Sequence, residues 1–175
     1  MSYKKDIELH RVNKDKYFKE SHHSPLKHHL QHEFTGLDYY PIDENLKFEV
    51  ELTPFDKPEV VQMETSDNNI RDYFNIGYLK FEIEGEEAKI HVYRPLDDPH
   101  QYFIPFRDAT SAVETYGAGR YIDLEKHGNH FNLDFNLAYS PMCAYSENFS
   151  CPFPPLENHL KVSIKAGEKN FPLEI

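Results

Sequence analysis

The stretch Tyr78-Leu79-Lys80-Phe81-Glu82-Ile83-Glu84-Gly85-Glu86-Glu87-Ala88-Lys89-Ile90-His91-Val92-Tyr93-Arg94 decides the fold class. Leu79, Phe81 and Ile83 alternate with Lys80, Glu82 and Glu84, and Ile90 and Val92 alternate with Lys89, His91 and Tyr93. A period of two puts one face of each run on a core and the other in water, the signature of antiparallel strands. Gly85-Glu86 suits a two-residue turn with glycine first, so 78–94 reads as a hairpin. Leu46, Phe48, Val50 and Leu52 repeat the pattern against Lys47, Glu49 and Glu51. Further strands are predicted at 59–65, 101–106, 120–124, 130–137 and 160–166. Eight to ten short strands separated by turn signals predict a mainly β fold, an antiparallel β-sandwich or a partly open β-barrel.

The first 35 residues differ. Ile7, Leu9, Val12 and Phe18 give an irregular apolar stripe that predicts a helix over 4–20. His22, His23 and Ser24 break it. Ser24-Pro25 reads as an N-cap with proline at the first helical position, leading to a short helix carrying Leu26, Leu30 and Phe34 and ended by Gly36. An N-terminal helical segment, 1–35, thus precedes one β domain, 36–175. Through Glu33 there are seven Lys/Arg against five Asp/Glu, and from Phe34 onward 12 against 25.

The whole chain carries 19 basic and 30 acidic residues, a net charge of −11. That excludes the phosphate backbone of a nucleic acid as the main partner. No apolar run reaches the roughly 20 residues of a membrane helix, and the start MSYKKDIELHRVNKDKYF lacks an apolar signal core. With only two cysteines, these features place the protein in the cytoplasm, away from membranes.

The strand at 130–137 breaks the Lys/Glu rule of the other solvent faces. Phe131, Leu133, Phe135 and Leu137 oppose His130, Asn132, Asp134 and Asn136. Short polar groups hold fixed hydrogen-bond directions at low entropic cost, which suits a pocket or a buried polar network. Just before it, in Thr115-Tyr116-Gly117-Ala118-Gly119-Arg120-Tyr121, the glycines permit a bulge or a close approach. The Arg120 fork would bind a carboxylate or phosphate, or else pair with Asp108 or Asp123. The loop 140–158 holds four prolines, with Tyr139, Tyr145, Phe149 and Phe153 as pocket walls or as a cover over the sheet. Its cysteines, Cys143 and Cys151, are eight apart and match no common zinc spacing. A metal site completed by His127, His130 or His159, a redox pair, or two inert buried thiols all remain open. His28 and His32 lie four apart without the glutamate of a zinc protease, which reads as a surface cluster.

The run Phe103-Ile104-Pro105-Phe106-Arg107-Asp108-Ala109-Thr110, then Glu114-Thr115-Tyr116-Gly117-Ala118-Gly119-Arg120-Tyr121-Ile122-Asp123, resembles one protein family in particular. So do Leu133-Asp134-Phe135-Asn136-Leu137-Ala138-Tyr139, Pro141-Met142-Cys143-Ala144-Tyr145, Cys151-Pro152-Phe153-Pro154-Pro155, Asn158 and Ala166-Gly167-Glu168, with Ser24-Pro25-Leu26 and Phe34-Thr35-Gly36-Leu37-Asp38-Tyr39-Tyr40 upstream. It is the bacterial and archaeal domain-of-unknown-function family numbered sixteen-eighty-four. The resemblance spans nearly the whole chain and implies no activity. Departures are Ser140-Pro141-Met142 for an Asn-Pro-Pro-like stretch, Phe153 for a Leu-like residue and Ala112 for a Gly-like one.

Two functional readings follow. In the first, a small anionic molecule is bound, and converted if the protein is an enzyme, in a polar pocket within 107–168. Arg120 receives its charge, Asp134 and Asn136 orient it, and Tyr121, Tyr139, Tyr145 and Asn158 line the site. In the second, Arg120, Asp134, Asn136 and Asn158 form a buried network pinning the long loop, and the protein is a structural or interaction module.

Overall fold

The computed structural model describes residues 2–175. Eight strands among them form two antiparallel sheets, not closed into a barrel. The larger sheet runs β2 (Thr53–Glu64), β3 (Ile70–Ile83), β4 (Glu86–Pro95), β5 (Tyr102–Phe106), β6 (Arg120–Leu124), in that spatial order. The smaller runs β1 (Lys47–Glu51), β8 (His130–Asp134), β7 (Lys126–His127). They share one core, in which Phe131, Leu133 and Phe135 meet Leu79, Phe81, Ile90, Val92, Ile104, Phe106 and Ile122. The fold is mainly β, as the alternation predicts.

The hairpin forms with a different turn. Ile83 pairs with Glu86, so the turn residues are Glu84 and Gly85, at φ 52° and 79°. Positive φ at both central positions is the type I′ turn, which matches strand twist better than a turn starting at glycine. β3 also reaches back to Ile70, and β2 is twelve residues long. β2 is an edge strand, where Pro54 and Pro58 cost no ladder bond and charged side chains discourage pairing with other chains. Its register shifts between Pro54 and Glu59. Opposite the shift, Gly77 sits at φ 144°, and a Cβ there would lie 2.2 Å from the Thr53 carbonyl oxygen, so the close approach requires glycine.

The helices are α1 (Tyr3–Glu20), capped by the Ser2 hydroxyl, and α2 (His28–Glu33). Ser24-Pro25 does not cap α2, which begins after Lys27 with no side-chain cap. The Ser24 hydroxyl instead donates to the Phe18 carbonyl and accepts from the Leu26 amide, closing the connection on itself. Phe18, Leu26, Leu30, Phe34 and Leu37 form a second core with Tyr145. The helical segment therefore packs on the long loop of the β domain.

Two predicted strands change. At 130–137 the strand stops at Asp134, whose carboxylate accepts from the Asn136 amide and starts a 3-10 turn over Phe135–Leu137. Phe135 and Asn136 are consequently both buried, and the polar residues do not form one continuous face. Segment 160–166 forms no strand. It lies beside 107–109 through the Leu160 amide to the Arg107 carbonyl and the Ala109 amide to the Val162 carbonyl, and its Ile164 and Ala166 carbonyls are captured by a side chain.

Candidate functional site

That side chain is Arg120. β6 places its guanidinium in the interior, with no side-chain exposure, and it donates to the carbonyls of Ile164 (2.9 Å), Ala166 (2.5 Å) and Glu168 (3.2 Å). Its ion pair is with Asp108 at 3.5 Å, not with Asp123. Asp108 also accepts from the Ile164 amide and the Thr110 hydroxyl. With Nη1 and Nη2 engaged, Nε buried without a partner and no side-chain exposure, Arg120 presents no face to a ligand from solvent, and it clamps 164–168 instead of receiving an anion. Gly119 allows the clamp: at φ 106° its missing Cβ would lie 2.5 Å from the Phe106 carbonyl oxygen. Ala112, at the Gly-like family position, also has positive φ, 66°.

Asp134 and Asn136 belong to a separate cluster. The Tyr3 hydroxyl donates to both Asp134 oxygens (2.9 and 2.7 Å), and Asn136 bonds both the amide and the carbonyl of Asp43. Burial and the Asp134 carboxylate push the Tyr3 phenol well above its ordinary range. Asn158, fully buried, accepts from the His91 amide and donates to the His91 and Pro105 carbonyls. Tyr145 is buried against Phe18 and Phe171, with its hydroxyl on Glu168. Five of the seven residues expected to bind a ligand (Arg120, Asp134, Asn136, Asn158 and Tyr145) are thus committed to buried contacts within the chain. The expected single network is three separate ones.

Tyr121 is buried too, its hydroxyl on the Pro152 carbonyl, and Tyr139 is half-buried; both line a groove. Each donates its amide to the other's carbonyl (2.8 and 2.9 Å), and their rings meet edge-on at 5.9 Å. The Tyr139 hydroxyl donates to Asp123 at 2.8 Å. Burial and that carboxylate raise the Tyr139 phenol far above its ordinary value, so it stays a proton donor. On one side of this pair runs a groove of about 560 Å³. Its apolar wall is Leu137, Tyr139 and Met142, α1 supplies His10, Asn13 and Lys14 opposite, and the Asp123 carboxylate that accepts from Tyr139 also lines it. A smaller groove of about 330 Å³ lies on the other side, between Tyr73, Phe103, Tyr121 and Pro152.

Lys14 is held in place rather than free to wander. It pairs with Glu168, which is 2 % exposed, and its ammonium lies over the Tyr139 ring at 5.0 Å. Partial burial and Lys14 keep His10 below its ordinary pKa, so it is neutral near pH 7. Sequence alone did not mark Lys14, His10 or Glu168 as a unit. Lys14 and His10 read as ordinary charges on a solvated helix, and a separation of 154 residues hides the Lys14–Glu168 pair.

The cysteines meet. The Cys143 amide donates to the Cys151 sulfur at 3.3 Å, both thiols are free, and the Tyr116 hydroxyl lies 3.6 Å from the Cys143 sulfur. His130 is exposed and pairs across the β7–β8 turn with His127, so it does not complete a metal site with them. Among the described residues no group of three His, Cys, Asp or Glu is placed to hold a metal. His28 and His32 touch at 3.3 Å on the exposed face of α2. No helix among the described residues is long and apolar enough to cross a membrane.

The family model described as "Protein of unknown function (DUF1684)" matches residues 32–169. The solution NMR structure of an uncharacterized protein of Haloarcula marismortui is 38 % identical, with a TM-score of 0.72 over 95 % of this chain and 94 % of that one. A comparison with curated proteins finds no match.

Proposed function

The chain belongs to the DUF1684 family, and we propose that it binds a small amphipathic anion, an aliphatic carboxylate, in the groove between α1 and the Tyr139–Met142 segment. The observation that carries this reading is the pairing of an apolar wall with three nitrogen-bearing side chains of one helix face. Leu137, Tyr139 and Met142 would take the hydrocarbon body, and Lys14, Asn13 and His10 the carboxylate, with Asp123 engaged by the Tyr139 hydroxyl at the groove's edge. The volume falls within the range of small-molecule sites, about 300–1,000 Å³. The anionic class is that expected from sequence, with Lys14, which keeps 19 % exposure while paired with Glu168, in place of the fully buried Arg120.

Octanoate is the probe, with octanol as its uncharged counterpart. Octanoate is expected to shift the methyl resonances of Met142 and Leu137, and octanol to do so more weakly. Binding should strengthen as pH falls through the His10 range, because a bound anion favours the protonated imidazole. Met142→Glu, at an exposed position, places a like charge in the groove and should abolish the shifts without loss of stability. Absence of shifts at millimolar octanoate, or shifts elsewhere in the molecule, would refute the reading.

A further inference from the structure

We propose that Cys143 and Cys151 are a peroxide-reactive dithiol, with Cys143 as the attacking sulfur and Cys151 as the resolving one. The geometry assigns the roles. Cys143 is half-buried and reachable from solvent, whereas Cys151 is buried. The two are already in contact through the Cys143 amide and the Cys151 sulfur. The loop that carries them is held at both ends of the pair. Cys151 exchanges backbone bonds with Ser66 in the β2–β3 turn, its amide donating to the Ser66 hydroxyl (3.0 Å) and its carbonyl accepting the Ser66 amide (3.0 Å). Cys143 sits in the 3-10 turn Met142–Ala144, against Tyr116.

The chemistry of the surroundings agrees. The Cys151 thiol, first, and the Tyr116 hydroxyl donate toward the Cys143 sulfur and bring its pKa down to about 6, from an ordinary value of ~8.5. Cys151 is pushed the other way, by its bond to Cys143 and by burial, so it stays protonated until it is needed. The remaining titratable or charged groups facing the pair are Tyr121 from β6, Tyr139 and Arg71 from β3. Both tyrosines are held neutral by burial, and the fixed charge of Arg71 acts on Cys151.

The Cys143 thiolate attacks the terminal oxygen of a hydroperoxide. The O–O bond breaks, and the leaving alkoxide takes a proton from water. Cys143 becomes a sulfenic acid and the peroxide is reduced by two electrons to an alcohol, or to water for hydrogen peroxide. Cys151 then gives up its proton and attacks the Cys143 sulfur, the S–O bond breaks, water leaves and the disulfide forms. A small dithiol reverses the step by exchange.

The full chain needs no alteration for the first test. One equivalent of hydrogen peroxide should remove both titratable thiols and lower the mass by two hydrogens, and dithiothreitol should restore both. Alkylation of reduced protein by iodoacetamide should follow a thiolate midpoint near pH 6. At pH 5.5 it should run about twentyfold faster than a free cysteine peptide, the gain in thiolate being partly offset by lower nucleophilicity. Cys151→Ser should accumulate a sulfenic acid that dimedone traps, and Cys143→Ser should leave a thiol that peroxide does not touch. Two thiols surviving excess peroxide, or an alkylation midpoint at or above ~8, would overturn the proposal. Neither result depends on octanoate binding.

Discussion

Asp108→Ala is expected to destabilise the protein by about 3–5 kcal/mol, the range seen when one partner of a buried ion pair is removed. Both side chains of the Asp108–Arg120 pair are inaccessible to water. Deleting the carboxylate leaves a guanidinium in the core, where burial already pulls its pKa down and Asp108 is the largest influence opposing that fall. Three further groups lose their acceptor: the Ile164 amide and the hydroxyls of Thr110 and Ser111. Asp108→Asn keeps an acceptor for some of these and is expected to cost less. Urea unfolding with an unchanged slope is the measurement, and for a chain of this size the melting temperature should fall by about 10 °C. A loss under ~1 kcal/mol would mean that the carbonyls of 164–168 alone hold Arg120.

Lys14→Met should cost about 3 kcal/mol, at the lower end of that range because the Lys14 side chain keeps 19 % exposure. Glu168 would then be a buried carboxylate with only neutral donors, the Tyr145 hydroxyl and the Ser140 amide. The loss should appear first in α1, which precedes the region matched by the family model and buries only Ile7 and Phe18. Amide exchange in α1 should therefore rise more than in β3 or β4. Adding Glu168→Gln to Lys14→Met should recover part of the stability, since the charge that needed a partner is gone. If Lys14→Met changes stability by less than ~0.5 kcal/mol, the pair does not fasten the helix.

Which parts of this could be read from sequence depends on the range of the interaction. The period-two runs at 46–52 and 78–94 record only which face meets a core, so β1, β4 and the second half of β3 are legible from them, while 70–77 is not. The Glu84-Gly85 turn was misplaced by one residue because turn type follows from strand pairing rather than from the glycine alone. At 130–137 the alternation persists in the sequence after the strand has ended. Asp134 turns the chain through its own side chain, a local competition that a periodicity cannot register. Segment 160–166 has strand composition, yet its Ile164 and Ala166 carbonyls are bound by Arg120, 44 residues away from Ile164. The dense Arg, Asp, Asn and Tyr content of 107–168 did mark a special region. It could not distinguish polar groups aimed at a ligand from polar groups satisfying one another, because that depends on which strands become neighbours. Tyr139 was found, but its partners His10, Asn13 and Lys14 lie on a helix whose sequence shows nothing beyond ordinary solvation. The same density brought Cys143 and Cys151 to notice, and their contact follows from how the loop closes over the β2–β3 turn.

The central claim is that the polar cluster is internal framework and the groove beside it is the binding surface. Asp134→Asn tests it most directly, measured by urea unfolding and by octanoate titration on the same sample. The carboxylate accepts from Tyr3 and from Asn136 while 2 % exposed. An amide there turns one acceptor into a donor facing other donors. The account predicts a stability loss of about 1–3 kcal/mol with the octanoate-induced shifts at Met142 unchanged. Wild-type stability together with loss of the octanoate response would contradict it and return Asp134 to the binding site.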